Sequence, residues 1–438
     1  MAQTFGISWA DLPPDLLSLI EKRLDTRIDT LQFRAVCYSW RFLTPRSEKP
    51  PPSLPKHILC PINNAPTVSP PMAPFTLFKT KVLRLEVPNT FPKKSWLMKV
   101  SEPVENKYRL ISPFSTSPVH NLPDGEVFPQ NLNLLNLGVS KVSENFFLKN
   151  DSPNVDHRIS RNFFEVGLSS LFDSNKKFVL IEQTDLLCVT IGENIWRPVE
   201  RRYGINDFIR YKNHFFTVDR DGIVKVVDDK TFRSVLTVPR SLPRYGEWYM
   251  VKSRGYLYFV VRDLQSCDGQ VFFHLALLRN VNLDPRRPLS VQFKVFKLDD
   301  RHGVYRARWR EVTDLGDEIF FISRDSSYAF SASDFAGVRG NKIIFVDEIK
   351  TLTDYARGLR DHGQVMESLI DGRVRVGVYD LANGSSAPLM ALPNYFQMFW
   401  PPPAWLMRPP PADDLSSSLS DLGVSSSAPS SSSSSSSG

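Results

Sequence analysis

The sequence predicts a small all-α unit of three short helices, a large all-β body expected to form a six- to eight-bladed β-propeller, and a disordered serine-rich end. Three observations predict it. Apolar residues recur at helical spacing as far as about Leu43, whereas short Val/Ile/Phe/Tyr-rich runs punctuated by turn residues extend from about Phe75 to Leu392. Proline-rich stretches separate these regimes. The chain of 438 residues, 42% of them apolar and 12% aromatic, is long enough for more than one core of its own.

The first helix is expected over Asp15 to Leu24. Leu16, Ile20 and Leu24 recur at i, i+4 and i+8 with Leu17 beside them, and Pro13, Pro14 and Asp15 supply a helix start. A second helical stretch can be capped by Asp29 or Thr30, after which Phe33, Val36, Cys37 and Trp40 fall at i, i+3, i+4 and i+7. A unit of about 40 residues has little capacity to bury two such stripes, so it is expected to need a partner to complete its core.

Residues 45–74 carry Pro50, Pro51 and Pro52 with several isolated prolines and read as an extended linker that passes into an edge strand. The body then shows strands in series. Phe208 to Tyr211, His214 to Val218, Ile223 to Val227 and Phe232 to Val238 form one four-strand group, with Asn213 and Asp221-Gly222 offering positive-φ turn positions. A second group is expected from Glu247 to Lys252, Gly255 to Arg262, Val271 to Leu278 and Val291 to Lys297, and a third from Arg308 through Glu318–Ile322 to Lys342–Val346. Groups spaced about 45 residues apart over about 340 residues give the six to eight blades. No Trp-Asp signature ends them. Beyond Pro409-Pro410-Pro411 the Ser430 to Ser437 run has no apolar area to offset its ordering entropy and is expected to be disordered.

Net charge of +7 comes from 54 basic and 47 acidic residues spread along the chain. Lys93/Lys94, Arg201/Arg202 and Arg286/Arg287 are isolated pairs without stacking aromatics, so nucleic-acid binding is not expected. Cys37, Cys60, Cys188 and Cys267 are too far apart for a Cys-x-x-Cys pair and read as reduced structural thiols. Met1 to Ala10 lacks a basic leader followed by an apolar run, and the longest apolar stretch, Tyr256 to Val261, has strand length. A cytoplasmic or nuclear address is expected, in which the Asn-x-Ser triplets at Asn150 and Asn383 have no role.

Trp9-Ala10-Asp11-Leu12-Pro13-Pro14-Asp15-Leu16-Leu17, followed by Phe33-Arg34-Ala35-Val36-Cys37-Tyr38-Ser39-Trp40-Arg41, resembles the plant F-box, which opens on Trp then Leu-Pro and closes on Val-Cys-x-x-Trp-Arg. The body resembles the plant F-box-associated β-propeller family through Trp96–Val100, Arg109–Thr116 with Leu122-Pro123, Tyr211–Asp219 with Gly222, Phe293–Asp299 and Trp309–Asp317. Two departures stand out: Ser112-Pro113 replaces the family's Asn-Pro, and Ile181-Glu182-Gln183 replaces its small-residue turn. The resemblance implies an F-box over 5–44, a linker over 45–74, a propeller over 75–408 and a tail over 409–438.

It further implies a substrate-recognition adaptor subunit of a Skp/cullin/F-box ubiquitin ligase. The F-box would dock on the Skp-family adaptor, and through it cullin, by way of Trp9, Leu12, Pro13, Leu16, Leu17, Ile20, Leu24, Val36, Cys37 and Trp40. The propeller would hold an unidentified protein substrate for ubiquitination and proteasomal degradation. Leu24, Val36 and Cys37 could equally serve only to hold the helices together, whereas Trp9, just ahead of the first helix, has little local core to enter.

Catalysis in the chain itself is not expected. No Gly-x-Ser-x-Gly, Gly-x-x-x-x-Gly-Lys-Ser/Thr, His-Glu-x-x-His or Gly-x-Gly-x-x-Gly motif occurs. Histidines 57, 120, 157, 214, 274, 302 and 362 lack ligand spacing, and Asp219-Arg220-Asp221-Gly222 lacks the later ligands of a calcium loop and reads as a hairpin turn. No cofactor, metal or membrane contact is expected. The rival readings are an F-box protein acting by sequestration outside a ligase and a propeller enzyme.

Overall fold

The computed structural model describes residues 12–21, 33–34, 36–43, 57–61, 72–104, 107–115, 118–119, 122, 128–129, 132, 136–150, 163–168, 177–181, 185–190, 196–201, 205–212, 214–219, 222–228, 231, 233–237, 247–263, 291–323, 326–348 and 374–407. Helices α1 (Pro14–Glu21) and α2 (Tyr38–Leu43), with the helical residues 33–34, belong to the N-terminal unit, and α3 (Pro393–Phe396) and α4 (Ala404–Met407) are the last elements among the described residues. The rest is mostly β. One nine-stranded sheet holds β1 (His57–Pro61), β2 (Met72–Val87), β3 (Lys94–Val104), β4 (Lys107–Leu110), β5 (Gly138–Asn150), β6 (Phe163–Leu168), β7 (Lys177–Ile181), β8 (Asp185–Thr190) and β9 (Arg197–Arg201). The second has β10 (Ile205–Tyr211), β11 (His214–Asp219), β12 (Val224–Asp228) and β13 (Ser234–Thr237) in sequence order. The third has β14 (Glu247–Ser253), β15 (Tyr256–Asp263), β16 (Gln292–Asp299) and β17 (Arg308–Val312). The fourth runs β19 (Ser327–Ser331), β18 (Glu318–Ile322), β20 (Lys342–Glu348), β21 (Val374–Asp380) and β22 (Ser385–Pro388).

Strands buried on both faces explain why the body reads as continuous apolar runs. Every residue of β18 is buried, as are Phe215, Phe216, Thr217 and Val218 of β11. Successive residues of one strand enter different cores: Phe216 and Val218 pack with Trp248 and Met250, whereas Phe215 packs with Leu186 of β8. On the far side of the third sheet Tyr249 and Val251 meet Phe320, Ile322 and Ile343. The fourth sheet in turn packs through Ile319 and Phe321 against Val82, Leu97 and Phe114. The sheets thus follow one another until the fourth returns to the first, the propeller arrangement.

The C-terminal segment fastens this last seam. Leu97 N–H donates to Met398 O at 2.8 Å, Phe399 lies 5.5 Å from Phe114 and 5.7 Å from Phe321, and Leu406 joins Leu83, Leu85 and Trp96 on the other face of the first sheet.

β15 pairs directly with β16, from Tyr258↔Lys297 to Asp263↔Gln292, which corrects the expected strand order of this group; Val271–Leu278 lies outside the described residues. Arg308–Val312 completes the third sheet and does not begin the next. Where the ten-residue cadence suggests six to eight blades, the described residues form four sheets, because the 16-residue β2 and 13-residue β5 each pair along most of their length within one continuous sheet. Within 45–74 the edge strand anticipated there is β1, paired with β2 from His57↔Thr76 to Pro61↔Met72. In the β10–β11 hairpin Lys212 is left-handed, at φ 45; Asn213 lies outside the described residues, as does the serine-rich tail. The Asp219–Gly222 turn is as expected: Gly222 sits at φ 71 and Ile223 N–H donates to Asp219 Oδ1 at 2.9 Å.

Gly377 shows how tightly the fourth sheet packs. It faces Phe345 across the β20–β21 ladder, and any Cβ there would drive into the Phe345 ring, which lies 5.1 Å from that of Phe293. Gly377→Ala is expected to destabilise the body by about 1–3 kcal/mol, as overpacking does, read as a lower urea midpoint. An unchanged midpoint would refute this packing account.

Candidate functional site

The N-terminal unit is built from short-range geometry. Pro13 O accepts from Leu16 N–H and Leu17 N–H at 3.0 and 3.1 Å, opening α1 directly after the Leu-Pro pair. Arg34 and Arg41 tie the second segment to α2, each guanidinium donating to the other residue's carbonyl at 3.3 and 3.2 Å. Leu17, Phe33 and Trp40 then form a miniature core, with the Phe33 and Trp40 rings 4.5 Å apart and Leu12, Ile20 and Cys37 packed at its edge.

That core consumes some of the expected contact residues and frees others. Leu17 and Trp40 turn inward, Leu12, Ile20 and Cys37 are half-buried, and Pro13 is exposed. Trp9 and Leu24 lie outside the described residues. Leu16 is 46% exposed and Val36 52%. Beside them stand Leu19 at 56%, Tyr38 at 78% and Phe42 at 74%, none of which the sequence reading singled out. Leu16 and Leu19 are three apart on α1, and Tyr38 stacks on Phe42 one turn away at 6.3 Å, a spacing visible in the sequence. They were missed because a stripe reading assigns every regularly spaced Leu to one buried face. The described part of this small unit thus leaves five large apolar side chains exposed to solvent.

Among the described residues of the body no group of three or more His, Cys, Asp or Glu could hold a metal, and no described helix is long and apolar enough to cross a membrane. His214 lies 2.9 Å from Lys212 O through Nδ1. Its polar groups knit neighbouring sheets: Arg254 bonds Glu318 at 2.6 Å, and Tyr211 and Lys212 meet Asp300 at 3.2 and 2.7 Å.

Asp207 is the most perturbed of these seam groups. A register shift in β10 aims it at the next sheet, where it accepts from Met250 N–H at 2.6 Å while also accepting from Phe208 N–H at 2.7 Å. Burial pushes its carboxyl up to about 7, against the lowering effect of the two N–H donors. The folded protein therefore keeps this proton where the unfolded chain, with its ordinary value of 3.8, has released it. This group's contribution is fully present below about pH 4 and is lost as pH rises toward 7. The difference in urea midpoint between Asp207→Asn and the parent is expected to grow in favour of the variant from pH 4.5 to 7.5; a constant difference would show that Asp207 titrates normally.

A helical unit that presents apolar side chains outward, opening on Trp-x-x-Leu-Pro and closing on Val-Cys-x-x-Trp-Arg, joined to a propeller body, defines a plant-type F-box protein. The chain belongs to the KIB1-4 beta-propeller family, whose model matches residues 72–380. It is similar to F-box protein SKIP23 of Arabidopsis thaliana, at 26% identity covering 93% of this chain and 98% of that protein. It is also similar to the F-box proteins At2g17036 and At2g26160 of the same plant, each at 26% identity. The former covers 91% of this chain and 95% of the relative, the latter 78% and 96%.

Proposed function

We propose that this protein is the substrate-recognition subunit of a Skp/cullin/F-box ubiquitin ligase, acting in the cytoplasm or nucleus. The carrying observation is the set Leu16, Leu19, Val36, Tyr38 and Phe42, exposed on a unit whose core, among the described residues, holds Leu17, Phe33 and Trp40 with partial cover. These five, with Trp9, Leu12 and Pro13 ahead of α1, form the surface for the Skp-family adaptor; Leu17 and Trp40 hold it in shape. Burying such side chains removes apolar area from water at about 25 cal/mol per Å², and the body is left free to hold a target. The chain needs no catalytic residue of its own, because tethering a target beside a ubiquitin-charged enzyme raises the effective concentration of its lysines.

Affinity purification of the tagged full chain, with and without proteasome inhibition, tests this reading. Skp-family adaptor and cullin are expected in both samples, and target proteins accumulate under inhibition. Adaptor without cullin would favour a sequestering protein, and absence of both would remove the ligase role.

A further inference from the structure

The third sheet ends on β17, whose outer edge pairs with no strand among the described residues. The backbone N–H and C=O groups that point away from β16 have no ladder partner there, so this edge can receive a further strand. β13 and β22 likewise end their sheets, but neither carries a charged residue. β17 reads Arg308-Trp309-Arg310-Glu311-Val312.

Register settles which way these side chains face. Asp299 pairs with Arg308, Leu298 with Trp309 and Lys297 with Arg310, and directly opposed residues share a face of the sheet. Trp309 is buried between the second and third sheets, its ring 5.4 Å from that of Phe259. The exposed Arg308 and Arg310 therefore stand on the opposite face, beside Asp299 and Lys297, while Glu311 alternates to the Trp309 side. Asp299 is already shared: Arg301 donates to both its oxygens, at 2.8 and 2.9 Å, and Arg310 lies 2.7 Å from Oδ2. Asp300 turns instead to Tyr211 and Lys212. Four cations, Lys297, Arg301, Arg308 and Arg310, thus surround one carboxylate, and Arg308 makes no ion pair among the described residues.

We propose that the outer edge of β17 takes up an extended acidic segment of a target protein as an added strand, its main chain bonding to β17 and its carboxylates meeting Arg308 and Arg310. The proposal rests on the body's being the substrate-recognition module and names the chemistry and conformation of its substrate. Charge selects the occupant. A second copy of this chain paired edge to edge would bring the two arginines of each β17 together, and like charges across a ladder are destabilising. Residues two apart on a strand share a face, so meeting both arginines requires acidic residues in alternation. A nucleic acid would need open rings to stack on, whereas Tyr256, the exposed ring on this face, is covered by Lys297 Nζ 3.4 Å from its centre.

The test uses the purified full chain and labelled peptides of equal length: one alternating Glu and Thr, one of the same composition with its Glu residues contiguous, one alternating Lys and Thr, and the first again with alternate backbone amides methylated. Anisotropy titrations are expected to show binding of the alternating Glu peptide, weakened by salt, and at least about tenfold weaker binding of the other three, which lose the charge pattern or the main-chain bonds. Hydrogen exchange over 308–312 should slow when the first peptide binds. Arg308→Gln and Arg310→Gln should each weaken binding about two- to fivefold, the loss of one cross-strand charge pair. Arg308→Glu combined with Arg310→Glu should reverse the preference to the Lys peptide; thermal melts confirm folding, and the paired Gln substitutions serve if that variant does not fold. No binding of the alternating Glu peptide would mean that these charges only keep the edge unpaired and would overturn the proposal. So would equal binding of the contiguous or methylated peptide, parental affinity in the folded paired variants, unchanged exchange over 308–312, or tighter binding of a single-stranded oligonucleotide. Adaptor and cullin co-purification with the paired Gln variant should match the parent, so a failed peptide experiment is distinguishable from a failed ligase reading.

Discussion

Leu16→Ala, Leu19→Ala and Tyr38→Ala combined are expected to abolish co-purification of the Skp-family adaptor while leaving the body's thermal transition unchanged. All three side chains are exposed and none belongs to the miniature core of Leu17, Phe33 and Trp40. Alanine is the best helix former, so α1 and α2 keep their intrinsic stability. Truncating an interface anchor costs about 1–2 kcal/mol, and three together weaken binding by roughly 10²–10⁴-fold, beyond detection in a pull-down. Leu17→Ala is the contrasting control: it empties the miniature core, so it should lose binding together with the unit's helical structure. Adaptor binding by the triple variant at parental strength would leave Trp9, Leu12 and Pro13 as the contact surface, and their triple alanine variant would decide that case.

Phe321→Ala carries the largest stability effect expected in the body. Phe321 is fully buried on β18, where its ring lies 4.8 Å from Tyr328, 5.7 Å from Phe399 and 6.4 Å from Phe114. Those partners come from the fourth sheet, the C-terminal segment and the turn that follows β4 of the first sheet, so the ring occupies the seam at which the propeller closes. Removing it leaves a cavity that three separate elements would have to collapse into, and a loss of about 3–5 kcal/mol follows. Phe91, fully exposed in the β2–β3 connection, is the comparison: Phe91→Ala should move the denaturation midpoint by no more than about 0.5 kcal/mol. Equal shifts in the two variants would mean that this seam does not hold the body together. Adaptor co-purification should survive Phe321→Ala at low temperature, since the helical unit has its own core.

Much of this architecture was legible because local chemistry enforces it. The Leu-Pro-Pro-Asp start of α1 and the Asp219–Gly222 turn follow from proline's missing donor and glycine's tolerance of positive φ. Runs such as Glu318–Ile322 and His214–Val218 announce strands through β-branched and aromatic residues bounded by turns. Strand partners were less legible. β15 finds β16 across a connection of more than two dozen residues, and the parallel pairing of β18 with β20 skips the intervening β19; neither choice leaves a local mark. At the helical surface, periodicity identified the apolar residues but could not divide them, because Leu16 and Leu17 are chemically identical neighbours and only packing sends one outward and the other in.

By itself the sequence determined that a short helical unit bearing an F-box motif precedes a long β-rich body, since residue spacing, turn chemistry and motif spacing are properties of the chain. Tertiary structure decided which sheet each strand joins, how the C-terminal segment seals the ring, and which five apolar side chains remain outside. The physical reason is that burial and electrostatic field depend on distance in space, and distance in space is set by how whole sheets pack rather than by any neighbour along the backbone.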